Sequence, residues 1–156
     1  MNKRNSIYFS ALILLFLVVF SMFTVQKQES SSGVENVSAQ KAKELIEKGD
    51  VFVLDVRTPA EFSLSHIEGA TLIPVSNAFG SNLSPDYLLK ARINEVPKNK
   101  KILVYCKTGG RSVEASTLLL KAGYQVYNMK GGISSWTNEG YPVVSSKDRE
   151  TGGSSD

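Results

Sequence analysis

The segment Lys101–Ala122 constrains this chain more than any other. Ile102-Leu103-Val104-Tyr105 is an apolar run that stops at Cys106, the single cysteine. Lys107, Thr108, Gly109, Gly110 and Arg111 follow, and then a helical period sets in through Val113, Ala115, Leu118, Leu119 and Ala122. The pattern predicts a buried strand, a tight loop and a helix. A thiol at that junction faces unpaired backbone N–H groups and the positive end of a helix, a setting that favours an anion. The two glycines let the backbone curl so that successive N–H groups point inward, and Arg111 adds a permanent cation. Such surroundings favour the thiolate, the nucleophilic form of cysteine. The plainer alternative is a Cys that is only a small buried hydrophobe. Gly-Gly-Arg and a helix directly behind Cys106 weigh against it.

The rest of the composition narrows the chemistry. The chain has 156 residues, 18 basic and 15 acidic side chains and a net charge of +3, enough for one average domain with extensions. The charges are interspersed, so no nucleic-acid surface is expected. One cysteine excludes an intramolecular disulfide and a multi-cysteine metal site, and a single histidine argues against a zinc centre. No cofactor is called for. No internal repeat is visible, and the oligomeric state is not legible.

At the N-terminus, Lys3 and Arg4 precede an uncharged apolar segment from Ile7 to Val25. As a helix it would be roughly 28 Å long, about the thickness of a bilayer's hydrocarbon core. The competing reading is a cleavable signal peptide, whose apolar region is normally shorter; no small-x-small site sits just behind this one. Residues 1–25 are therefore expected to be a transmembrane anchor, or else a signal. The preceding basic residues place the N-terminus in the cytoplasm and the rest of the chain outside it. Secretion after cleavage is the alternative. Gln26–Asn36 reads as a polar linker, residues 37–144 as the folded domain, and Ser145–Asp156 as a disordered tail.

Within the body, Ser38 is a candidate N-cap for a helix over Ala39–Lys48, ended by Gly49. Val51–Leu54 is a continuously apolar strand ending at Asp55-Val56-Arg57. Thr58 is placed to cap a short helix with Pro59 at its first position. A short strand follows at Thr71–Ile73, then a helix opened by Ser84-Pro85 and running through Leu88, Leu89 and Ile93. Val126–Met129 is a further strand, and Gly131-Gly132 leads into a last short helix with Trp136. Strands alternating with helices predict an α/β layer fold with a mainly parallel sheet. Ligands bind at the carboxyl ends of strands in such sheets, where Asp55 and Cys106 both fall.

These residues, in this order, resemble the rhodanese (thiosulfate sulfurtransferase) family. The likeness runs through Asp55-Val56-Arg57 with Pro59, Glu61 and Phe62, then His66-Ile67 with Gly69-Ala70, then the Cys106–Arg111 loop. It continues through Gly123-Tyr124, Gly131-Gly132 with Trp136, and Gly140 with Pro142. Ser65 stands where many members carry glycine, and Met129 where leucine is common. The resemblance implies a sheet of about five mainly parallel strands flanked by helices, here preceded by one hydrophobic N-terminal helix. It also implies that Cys106 carries a persulfide and that the Asp55 and Arg57 region lines one wall of the pocket. Cysteine phosphatases and arsenate reductases are the rival class. Phosphatase loops place five residues between Cys and Arg; here there are four, a smaller nest suited to sulfur.

The implied reaction takes a sulfane sulfur from a small donor such as thiosulfate onto Cys106 and passes it to a thiol or cyanide. Backbone N–H groups from Lys107 to Arg111 are expected to hold the persulfide anion. Arg111 is expected to fix the loop through a carboxylate or carbonyl. Lys107 either attracts an anionic donor or is simply a solvated lysine. Asp55 is expected to cap the following turn and Arg57 to pair with Glu61, a supporting role for both. His66 reads as structural, not as a general base, and Trp136 as core or rim. A sulfur carrier or binding module with little turnover is the second class of function, and an external-thiol redox role the third.

Overall fold

A computed structural model of the chain describes residues 33–78 and 80–146. Five strands form one sheet in the order β1-β5-β4-β2-β3, every neighbouring pair parallel. They are β1 (Glu35–Val37), β2 (Val51–Asp55), β3 (Thr71–Leu72), β4 (Lys101–Tyr105) and β5 (Val126–Met129). The helices are α1 (Ala39–Glu47), α2 (Pro59–Leu64), α3 (Leu89–Arg92), α4 (Gly110–Lys121) and α5 (Gly132–Asn138). The fold class is the one the alternating pattern predicts.

β4 sits at the centre, and its side chains alternate between two cores. Ile102 and Val104 pack with Leu54, Leu89, Ala115 and Leu119 on one face. Leu103 and Tyr105 pack with Ala42, Leu45, Ile133 and Trp136 on the other. Both faces are covered, which is why the strand is apolar without interruption. Each fully buried leucine of this kind contributes about 2 kcal/mol.

The capping rules hold at the starts of α1 and α2. The Ser38 hydroxyl accepts from Lys41 N at 3.1 Å and opens α1. Thr58 opens α2 with Pro59 behind it and a reciprocal capping box to Glu61.

Four expectations are corrected. The helix expected from Ser84-Pro85 through Ile93 is broken. Pro85–Tyr87 is a 3₁₀ turn, Leu88 is extended, α3 is four residues long, and Ile93–Glu95 is again 3₁₀. The cause is tertiary: Leu89 N donates to Pro74 O at 2.8 Å, which draws Leu89 fully into the core. Val113, counted on the apolar stripe of α4, is 55% exposed; the buried face is Ser112, Ala115, Ser116 and Leu119. Glu35 and Asn36, assigned to the linker, form the edge strand with Val37, and Asn36 Oδ1 accepts from Asn128 Nδ2 at 2.8 Å. The fourth correction, at Arg57, belongs to the site below.

The apolar segment 7–25, the linker as far as residue 32 and the tail from residue 147 lie outside the described residues. Among the described residues no helix is long and apolar enough to cross a membrane.

Candidate active site

Cys106 follows the last residue of β4 and is 1% exposed. The chain then turns sharply. Gly109 has φ +112°, a left-handed conformation that other residues adopt only under strain, and it caps α4. This turn aims the Gly109 N–H back at the thiol, where it donates to Sγ at 3.1 Å.

The loop is held from outside by the first turn of α5. Ile133 N donates to Cys106 O at 2.9 Å and Ser134 N to Lys107 O at 3.1 Å. Those bonds draw the loop carbonyls away from the sulfur and leave an amide to face it. The approach is close enough to require glycine at residue 132. A Cβ there would stand 2.3 Å from Cys106 O, and φ is +57°. Lys107 and Thr108 are exposed at the tip, and Gly110, also exposed, starts α4.

Ser112, fully buried on α4, lies beneath the sulfur. Cys106 Sγ is 3.6 Å from Ser112 Oγ, and the hydroxyl donates to Gly109 O at 2.9 Å.

Arg111 is turned toward α2. Its Nη1 and Nη2 donate to Glu61 Oε2 and Oε1 at 2.7 and 2.8 Å. Glu61 is itself fixed, because Thr58 N and Thr58 Oγ1 both donate to Oε2 at 3.1 Å. Burial alone would raise the Glu61 pKa, but these donors and the Arg111 charge outweigh it and bring it down to about 2. The same pair holds the Arg111 pKa above its ordinary value, chiefly through the hydrogen bonds it donates to Glu61.

Arg57 does not pair with Glu61 as expected. Its Nε and Nη2 donate to Asp55 Oδ2 at 2.9 and 2.6 Å, and its Nη2 also donates to Ser65 O at 2.6 Å. The i,i+4 rule applies within a helix, and α2 begins only at Pro59, so Arg57 is not on the face that Glu61 presents. Asp55 Oδ1 also accepts from Arg57 N at 2.9 Å, capping the turn. Asp55 and Arg57 are 0% and 2% exposed. Their charges satisfy each other and brace the 55–65 turn from inside. Burial works against the Arg57 charge, but the Asp55 bonds prevail and raise its pKa. Burial likewise pushes the Tyr105 phenol well up; its oxygen accepts from Ile67 N at 3.2 Å.

His66 is buried and stacked on Phe62, with ring centroids 3.8 Å apart, and Nδ1 lies 2.8 Å from Phe62 O. Its backbone exchanges both hydrogen bonds with Val144. Trp136 is a core residue whose Nε1 donates to Pro142 O at 2.8 Å. Among the described residues no group of three or more His, Cys, Asp or Glu is placed to hold a metal ion.

A model of the rhodanese-like domain matches residues 38–139. The chain belongs to the rhodanese-like domain family. A sulfurtransferase of Allochromatium vinosum is 33% identical to this rhodanese-like chain over 108 residues, covering 69% of this chain and 91% of that one. Thiosulfate sulfurtransferase 16 of Arabidopsis thaliana, a chloroplastic protein, is 39% identical over 118 residues, covering 74% and 97%. Among solved structures, a rhodanese-related protein of Thermoplasma volcanium aligns with a TM-score of 0.60 at 33% identity, covering 70% of this chain and 97% of that one.

In this rhodanese-like domain Cys106 to Arg111 form one continuous segment; Asp55 lies beside Tyr105, the residue before Cys106, in the sheet register, and Arg57 is bonded to Asp55. Three residues escaped the sequence reading as parts of the site. Glu61 gave a partial signal, since Thr58 and Glu61 have capping-box spacing and so imply an oriented carboxylate. Ser112 and Gly132 gave no local signal, because their roles depend on tertiary contacts with the Cys106–Gly109 loop.

Proposed function

We propose that this rhodanese-like domain is a sulfurtransferase that carries sulfane sulfur as a persulfide on Cys106, with thiosulfate as donor and a thiol or cyanide as acceptor. Its sulfurtransferase relatives support the general role. One geometric observation carries the assignment to Cys106: the thiol stands at a strand end with the Gly109 N–H at 3.1 Å from Sγ.

In the first half-reaction the Cys106 thiolate attacks the outer sulfur of thiosulfate. The S–S bond of the donor breaks and sulfite leaves with the bonding pair, giving Cys106–S–S⁻. In the second, cyanide attacks the outer sulfur, the new S–S bond breaks toward Sγ, and thiocyanate leaves. Loop amides are donors for the negative charge in both steps. The phosphatase reading fares worse. The Arg111 guanidinium, the fork a phosphoryl group would need, is engaged on both nitrogens by Glu61.

A sulfur carrier or binding module with little turnover is the second reading, favoured by the burial of Cys106. Intact mass after incubation with thiosulfate, compared with Cys106→Ser, tests the persulfide. Thiocyanate formation with cyanide then separates an enzyme from a carrier. A wild type that gains no sulfur overturns the thiosulfate reading; one that gains sulfur without turnover favours the carrier.

We further propose, from the sequence, that Ile7–Val25 tethers the domain outside the cytoplasm. Protease added to intact cells should then remove it, and full protection would place it inside.

A further inference from the structure

Ser112 has its hydroxyl between two acceptors of different character. In the structure it donates to Gly109 O at 2.9 Å, while Cys106 Sγ lies 3.6 Å from its oxygen. With Gly109 N donating to Sγ at 3.1 Å, the three groups close a small ring. The ring suits a neutral thiol, whose S–H points to Ser112 Oγ. A thiolate has no proton to give and seeks a donor instead. The Ser112 hydroxyl, 3.6 Å away, supplies one by rotating about its C–O bond away from Gly109 O.

That rotation leaves no orphan behind. Gly109 O also accepts from Val113 N at 3.2 Å, the first bond of α4. A carbonyl with two donors keeps one when the hydroxyl leaves. Ser112 is fully buried, so no bulk water takes over its role, and a bond to an ion in such surroundings is stronger than one in water.

We propose that Ser112 is a catalytic residue whose hydroxyl turns from Gly109 O to Cys106 Sγ whenever that sulfur carries negative charge. The inference rests on the persulfide reading above and deepens it, because charge on Sγ differs between the half-reactions. During loading, Sγ gives up its charge as it bonds the incoming sulfur. During release, the S–S bond breaks and the electron pair returns to Sγ. A donor at Sγ therefore speeds release and does not speed attack once the thiolate has formed. The O–H bond never breaks; only its direction changes.

The test uses the full chain as wild type, Ser112→Ala and Ser112→Thr. Persulfide is installed with polysulfide, which gives one sulfur to the thiolate and leaves one sulfur shorter. Release to saturating cyanide is then followed by intact mass. Ser112→Ala should release about tenfold more slowly, the scale of a lost bond to an anion. Its loading, compared at a pH above which neither protein loads faster, should stay within about twofold of wild type. Ser112→Thr, which keeps the hydroxyl, should recover most of the release rate. Separately, the pH profile of iodoacetamide alkylation should lie at higher pH in Ser112→Ala than in wild type. Release at the wild-type rate, equal slowing of loading and release, or coincident alkylation profiles would overturn the inference. Failure of wild type to load from thiosulfate, together with slow release of installed persulfide from Ser112→Ala, would remove the donor assignment and leave the role of Ser112 standing.

Discussion

Arg111 lays both terminal nitrogens on the carboxylate of Glu61, at 2.7 and 2.8 Å, although the two residues are 50 positions apart. The pair ties the first turn of α4 to α2, and the loop that carries Cys106 lies directly before that turn. It is partly shielded, with side-chain exposures of 15% and 20%. Bidentate geometry and a fixed carboxylate set it apart from an ordinary surface pair.

A double-mutant cycle with Glu61→Gln and Arg111→Met should therefore give a coupling of about 1–3 kcal/mol in urea unfolding. Each single variant should also slow sulfur loading, since each frees the loop's anchor. Additive stabilities would show that the pair does not hold the two elements together.

The low Glu61 pKa makes a pH prediction with a definite sign. The carboxyl titrates near 4.5 when unfolded and near 2 when folded, so the native state favours the ionised form. The resulting stability is present above about pH 4.5 and is lost as pH falls toward 2. At about 1.4 kcal/mol per pH unit, discounted for partial exposure, this amounts to about 1–3 kcal/mol. Unfolding free energy measured from pH 6 down to pH 2 should fall more steeply in wild type than in Glu61→Gln. Parallel curves would refute the assignment.

Gly132→Ala is expected to be disruptive far beyond the size of a methyl group. The new Cβ would stand 2.3 Å from Cys106 O and 2.7 Å from Lys107 C and O, at a φ of +57°. Backbone, not a flexible side chain, must move. A loss of about 3 kcal/mol or more is expected, with slowed alkylation of Cys106 as the loop shifts. Gly49→Ala, also at positive φ but with open space around it, is the control that isolates the backbone conformation from the collision.

Asp55→Ala would leave the Arg57 guanidinium buried at 2% exposure without its carboxylate. Removing one partner of such a pair costs about 3–5 kcal/mol. Thermal and urea unfolding should show the loss, while the thiol chemistry of whatever remains folded stays near normal, because neither residue touches Sγ. A variant that unfolds like wild type but no longer loads sulfur would reassign Asp55 to the reaction.

The legible part of this protein is the part written in local rules. The β4 run, the turn at Gly109 and the helical period of α4 each follow from a few adjacent residues. So does the capping of α1 by Ser38 and of α2 by Thr58. Together they imply a parallel α/β sheet with a cysteine at its carboxyl end. What the local rules leave open is which partner each group finds. Glu61 lies near two arginines in sequence or space, and i,i+4 spacing alone favours Arg57. In the folded chain β2 pairs beside β4, which brings α2 to the start of α4 and gives Glu61 to Arg111. Arg57 meanwhile turns back to Asp55, because it precedes the helix. The phase of α4 was likewise set from outside. The loop's turn places Ser112 under the sulfur and carries Val113 to the surface. Leu88 breaks its helix because Pro74 O takes the Leu89 N–H. For Glu61 and for Leu89 a bond from a distant segment decides between local choices, whereas Arg57 takes a partner only two residues away. Sequence by itself therefore determined most of the strands and helices and the place of the single cysteine at a strand end. Tertiary packing decided the ion pairs, the helix phase and the hydroxyl that the thiol meets.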